Sequence, residues 1–148
     1  MSRLVLLDAT VLVDAVGGSA KDMHNSQHIF TAVAEGDIDP LISVETIQET
    51  FAVLARRRGD RRFALRIARR FAESIRTVEV DDALLATALD LLGDHDRIMG
   101  ADAIVLATAK QAGATALVTR DKGLGEAAGE LWVDPSNPAA LAALVSPN

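Results

Sequence analysis

The chain of 148 residues has no cysteine and no tyrosine, and aromatic residues make up only 3% of it. Without cysteine there are no disulfides, thiolate metal ligands or cysteine nucleophiles, and the composition suits a reducing cytoplasm. So few aromatics argue against a platform on which single-stranded bases would stack. No apolar run approaches the roughly 20 residues of a membrane span. The first apolar run meets an acid at Asp8 after four residues, too early for a secretory signal. Repeats, low-complexity segments and linkers are also missing, so the length points to one domain over residues 1–148. A hydrophobic content of 49% and a mean hydropathy of +0.20 exclude disorder as a description of the whole.

The formal net charge is -6, but its distribution says more than its total. Between Arg56 and Arg76 lie nine arginines and only two acids, Asp60 and Glu73, a local +7 against -13 for the remainder. An acidic body carrying one arginine segment has two readings. The segment is either a solvated helical face paired with acids elsewhere or a surface for phosphates. Its place beside the helix that carries Glu49 favours phosphate contact.

Strand and helix patterns alternate along the chain. Leu4–Leu7, Leu41–Ser43, Thr77–Val80, Ala116–Thr119 and Leu131–Val133 read as short strands. Between them, helical spacing covers His24–Gly36, a helix capped by Ser43 and ended by Gly59, and Phe63–Ile75 with Phe63, Ile67, Phe71 and Ile75 on one face. Further helices are expected over Ala83–Leu92, Ala101–Ala112 and Asp121–Ala128, and from Pro138 onward. This alternation predicts an α/β fold with a parallel sheet covered on both faces.

Ligands of such sheets bind beyond the carboxyl ends of the strands. Asp8 ends the first strand directly, and Thr119 and Asp121 follow the fourth. Asp102 sits in the first turn of the helix leading into that fourth strand, and Glu49 in the early turns of the helix after the second. A single acid in a first helical turn is ordinary, because it complements the helix dipole. Asp8 is harder to dismiss, since a carboxylate fixed at the end of a buried strand needs a partner. Carboxylates converging on one spot repel each other, and a hard cation such as Mg2+ or Mn2+ relieves that repulsion. Such a site suits phosphoryl chemistry.

At these positions the sequence resembles the PIN-domain ribonucleases, most closely the VapC-type toxins of bacterial toxin–antitoxin pairs. Four landmarks carry the resemblance in order: LVLLDATVLVDA, ISVETIQETFAVL, MGADAIVLATAKQAGATALVTRDKGL and ELWVD. The resemblance implies a three-layer fold with a five-stranded parallel sheet in the order 3-2-1-4-5. It places the family's acidic quartet on Asp8, Glu49, Asp102 and Asp121, as catalytic and metal-holding residues, with Thr10 and Thr119 as supporting hydroxyls. Glu45, one turn before Glu49, fits the spacing less well. It also implies Mg2+- or Mn2+-dependent hydrolysis of RNA, a homodimer and a cognate antitoxin. Arg56, Arg57, Arg58, Arg61 and Arg62 are then the candidate RNA contacts.

Other patterns carry less. Gly123-Leu-Gly125-Glu-Ala-Ala128 matches a dinucleotide-binding fingerprint, but Asp134 follows too soon and charged residues separate strand from glycines. His24 and His28, four apart, read as surface histidines near a helix start, with no clear third ligand. Nothing supports a serine triad, and Trp132 reads as a core or interface aromatic. Four alternatives to a toxin nuclease remain: a PIN-like domain that only binds protein, one that processes RNA without a toxin role, a receiver-like phospho-accepting module using Asp81 and Thr119, and a phosphohydrolase of small phosphates. The receiver reading wants paired acids after strand 1 and a lysine after strand 5, and neither is present.

Overall fold

The computed structural model describes residues 2–147. Five parallel strands form one sheet in the order β3-β2-β1-β4-β5. They are β1 (Arg3–Leu7), β2 (Ile38–Ser43), β3 (Arg76–Val78), β4 (Ala116–Val118) and β5 (Trp132–Val133). The central pair aligns Leu6 with Leu117 and Leu7 with Val118, so the ends of β1 and β4 are level. That register brings Asp8 and Thr119 side by side.

Alternation along β1 divides the core. Val5 and Leu7 face one layer, with Ile42, Val118, Val11, Leu12, Ile29 and Leu141, built on α1 (Ala9–Gly17), α2 (Ala20–Ala34) and α8 (Pro138–Val145). Leu6, Leu41 and Leu117 face the other, against α5 (Asp82–Asp94), α6 (Gly100–Ala112) and α7 (Lys122–Ala128). Period-two strands between two apolar layers give a three-layer sandwich. A smaller cluster of Val13, Leu54 and Ala64 joins α1 to the hairpin of α3 (Val44–Arg58) and α4 (Arg61–Ser74). Gly59 closes α3 at φ 64, a left-handed position that favours glycine. In this hairpin Leu54 is buried, and Phe51, Phe63, Ile67 and Phe71 are half-buried.

Local chemistry explains most boundaries. Ser43, Asp60, Asp81 and Asn137 cap α3, α4, α5 and α8 by accepting from backbone N–H groups in the first turn. Several boundaries shift from the sequence reading. Helix α2 starts at Ala20, because Ser19 caps it by accepting from Asp22 N at 3.1 Å. Strand β3 ends at Val78, short of Val80, and Leu131 belongs to a 3-10 turn (Gly129–Leu131) before β5. Helix α1 has no counterpart in the sequence reading. Ala9, Val11, Leu12 and Val13 are all buried, so the segment reads as more strand rather than as an amphipathic helix. Its cap position, Asp8, makes no side-chain capping bond, because that carboxylate is used elsewhere.

Candidate active site

Two backbone hydrogen bonds and one from an indole level the floor of the site. Asp8 N donates to Val118 O at 3.0 Å, Thr119 N to Val133 O at 3.1 Å, and Trp132 Nε1 to Thr119 O at 3.0 Å. On this floor Thr119, fully buried, places its hydroxyl between two acids. Its Oγ1 donates to Asp8 Oδ2 at 2.7 Å and accepts from Asp121 N at 3.0 Å. Asp121 Oδ1 caps α7, accepting from Gly123 N at 2.9 Å and Leu124 N at 3.3 Å. Thr10 Oγ1, on α1, accepts from Arg120 N at 3.1 Å. Both hydroxyls singled out in the sequence therefore tie β4's exit loop to the start of α1.

The four carboxylates share one electrostatic field. Burial pushes the Asp8 carboxyl above its ordinary value; the Thr119 hydrogen bond pulls it back, and Asp102 and Asp121 add to the rise. Glu49, at the exposed rim, is pushed up to about 6 by partial desolvation and then by Asp8, Asp102, Asp121 and Glu45. Asp102, half-buried, is raised by desolvation and by Asp121. Among the described residues, none of the four forms an ion pair. Nor do three Asp, Glu or His side chains close into a ready-made ligand cage there.

A cleft of about 160 Å³ adjoins the acids, lined among others by Thr10, Val13, Glu49, Val53, Arg57 and Arg120. Glu49, Val53 and Arg57 follow each other at four-residue steps along α3, so one helix face carries the acid and a guanidinium. Of the five candidate arginines, Arg57 alone lines this cleft. Arg58 lies 4.2 Å over the Phe63 ring and donates to Val16 O at 3.4 Å. Arg61 lies 5.1 Å over Phe51, Arg62 belongs to a shallow groove on α4 with Arg66 and Arg69, and Arg56 is exposed.

Sequence reasoning missed the firmest polar contact nearby. Arg120 Nε and one terminal nitrogen donate to the two carboxylate oxygens of Asp14 at 2.6 and 2.8 Å, and Asp22 stands 4.0 Å from the same guanidinium. The Asp14 side chain is 2% exposed. Thr10 and Asp14, one turn apart on α1, thus hold the backbone and side chain of Arg120 at once. The only local signal was an acid inside an apolar stretch, and its partner lies 106 positions away. Other candidates settle into structural roles. Asp81 caps α5, accepting from Leu84 N at 2.8 Å, away from Thr119 and the central strands. Gly125 packs on the Trp132 indole, where an added Cβ would lie 2.1 Å from a ring atom, so close packing explains that glycine without a phosphate.

The PIN-domain family model matches residues 4–123. Ribonuclease VapC7 of Mycobacterium tuberculosis (strain ATCC 25618 / H37Rv) is 31% identical over 140 residues, covering 89% of this chain and 92% of the relative. Among solved structures, the M. tuberculosis sarcin-ricin loop cleaving toxin VapC20 aligns with a TM-score of 0.70 at 21% identity, over 84% of this chain and 95% of that one. A toxin–antitoxin complex from Klebsiella pneumoniae aligns with a TM-score of 0.65 at 21% identity, over 88% and 97%. The two structures speak to the fold, in agreement with the observed strand order. With the family model spanning most of its length and a curated VapC relative across nearly all of it, the chain belongs to the PIN-domain family, among its VapC-type members.

Proposed function

We infer that this chain is a metal-dependent endoribonuclease that hydrolyses RNA phosphodiester bonds as the toxin of a toxin–antitoxin pair, its 148 residues working as one PIN unit in the cytoplasm. The observation that carries the reading is the hydrogen-bonded group of Asp8, Thr119 and Asp121 at the level ends of β1 and β4, with the carboxyls of Asp8, Glu49 and Asp102 each raised by desolvation and then by neighbouring acids, in a chain whose relative is a ribonuclease. The donor set is all carboxylate oxygen, which fits a hard divalent ion, Mg2+ or Mn2+, held by Asp8, Asp102, Asp121 and Glu49. When bound, that ion supplies Lewis acidity toward a water and counter-charge for the phosphate oxygens.

The protein's own groups do the rest. Thr119 Oγ1 holds one oxygen of Asp8 and so fixes the orientation of that carboxylate. In the metal-free protein the Glu49 carboxyl is pushed up to about 6 by partial desolvation and by the neighbouring acids, a repulsion that a divalent ion held by the four carboxylates would relieve. Arg57, on the same helix face, contacts the phosphate that enters the cleft, and Arg56, Arg58, Arg61 and Arg62 extend positive charge along the hairpin. With few aromatics, recognition rests on the RNA backbone and its shape.

The surface supports partners. A groove of about 310 Å³ between α2 and α4, lined by Val16, Phe30, Val33, Ile67 and Phe71, suits the apolar side chains of an antitoxin segment. Leu85, Leu89 and Met99, at 45%, 59% and 75% exposure, give a second copy an apolar face to cover in a homodimer. The test is cleavage of RNA by the purified chain. Cleavage should cease in excess chelator and return with Mg2+ or Mn2+, and undiminished cleavage in chelator would refute the metal site.

A further inference from the structure

His24 and His28 project from the same face of α2, away from the acid site. Their Nε2 atoms stand 3.1 Å apart, with ring centroids at 4.5 Å and planes at 85°. Both residues are exposed, and they open into a cleft of about 270 Å³ between α2 and α8, walled by Pro135, Ser136, Pro138 and Leu141. The catalytic reading uses neither ring. Lys21 and Asn25 also line the cleft, and no carboxylate does.

We propose that His24 and His28 form a chelating site for a borderline divalent transition ion of the Zn2+ class, separate from the hard-ion site at the carboxylates. Four-residue spacing on a helix puts two imidazoles one turn apart on one side. At usual metal–nitrogen lengths of about 2.0–2.1 Å, nitrogens at the observed separation subtend about 95–102° at the metal, between the octahedral and tetrahedral angles. Terminal ring torsions are soft, so a small turn of each exposed ring aims both lone pairs at one point. In the metal-free protein the two Nε2 atoms share one hydrogen bond; on binding, the donor ring's proton shifts to its Nδ1, so that both Nε2 lone pairs are free for the ion. Imidazole prefers Zn2+, Cu2+ or Ni2+ over Mg2+, so the two sites sort ions by ligand chemistry. Water completes the coordination on the cleft side, and the ion fixes the first two turns of α2, beside α8.

Zn2+ titration by calorimetry, in excess Mg2+ and on an Asp8→Asn background, isolates this site from the carboxylates. One ion should bind per chain, and His24→Gln or His28→Gln should each weaken it by about a hundredfold, the loss expected when a two-point attachment becomes one-point. Circular dichroism of each variant confirms that α2 is intact, and His95→Gln should bind Zn2+ like the parent. No Zn2+ binding by the parent, or binding that survives either of the two substitutions unchanged, overturns the proposal. RNA cleavage does not enter this measurement, so a failure here leaves the nuclease reading standing, and the converse also holds.

Discussion

Replacing Asp8 by asparagine perturbs the acid site through stability as well as activity. Asp8 is 5% exposed, its carboxyl is raised by burial and by Asp102 and Asp121, and no cationic side chain offsets it. A carboxyl raised on folding binds more protons in the folded than in the unfolded state. Stability therefore falls as pH rises from the unfolded value through the folded one, and the loss is complete above it. Glu49 sets the scale: a rise from 4.5 to about 6 opposes folding by about 2 kcal/mol, at about 1.4 kcal/mol per tenfold change in proton affinity. Because Glu49 is exposed, solvent screening reduces that to about 1 kcal/mol or less. Asp8 is raised in the same direction, so Asp8→Asn should stabilise the metal-free protein at pH 7.5; on the scale set by Glu49 that is about 1 kcal/mol, or about 2–4 °C in Tm. The asparagine oxygen can still accept from Thr119 Oγ1, so the shape of the floor persists. Thermal melts in chelator from pH 4.5 to 8 give the full pattern. The parent should lose stability between pH 4.5 and about 7, the variant should lose less, and Mg2+ should restore the parent more than the variant. RNA cleavage by the variant should be abolished. A metal-free variant less stable than the parent at pH 7.5, together with a parent profile that is flat or rises with pH, would refute the electrostatic account of the site.

Three further outcomes follow from particular contacts. Asp14→Ala and Arg120→Ala should each cost about 3 kcal/mol, the low end for breaking a buried pair because Arg120 is 32% exposed. In denaturant melts the double variant should cost clearly less than the two single losses together, and strict additivity would mean that the pair is not coupled. Arg57→Gln should reduce the slope of log RNA affinity against log salt by about 0.7–0.9 while leaving Mg2+ affinity in place, and an unchanged slope would return Arg57 to a solvated role. Gly125→Ala forces a Cβ against the Trp132 indole and should destabilise the fold by about 1–3 kcal/mol, read by the fluorescence of the single tryptophan; an unshifted melt would show that the contact is soft.

Legibility in the sequence followed the distance over which each feature is encoded. Asp8 could be read because the buried strand and the acid that ends it are adjacent, and Asp102 and Asp121 because each opens a helix beside β4. The strand order came from the resemblance rather than from periodicity, and the pairings of β1 with β2 and β4 agree with it. Helix α1 stayed hidden because a helix buried on most sides loses the polar stripe that marks its period. The Asp14–Arg120 pair stayed hidden because it joins residues in α1 and after β4 that no local pattern relates. Both failures have one origin. The loop that carries Thr119, Arg120 and Asp121 is shaped by contacts reaching back to the first helix: Asp8 on Thr119, and Thr10 and Asp14 on Arg120. Helix α1 is therefore the support that sets where Asp121 stands relative to Asp8. A local reading finds the acids and not the element that fixes their spacing, because acid identity is written at single positions while spacing depends on a register that forms only when β1 and β4 pair.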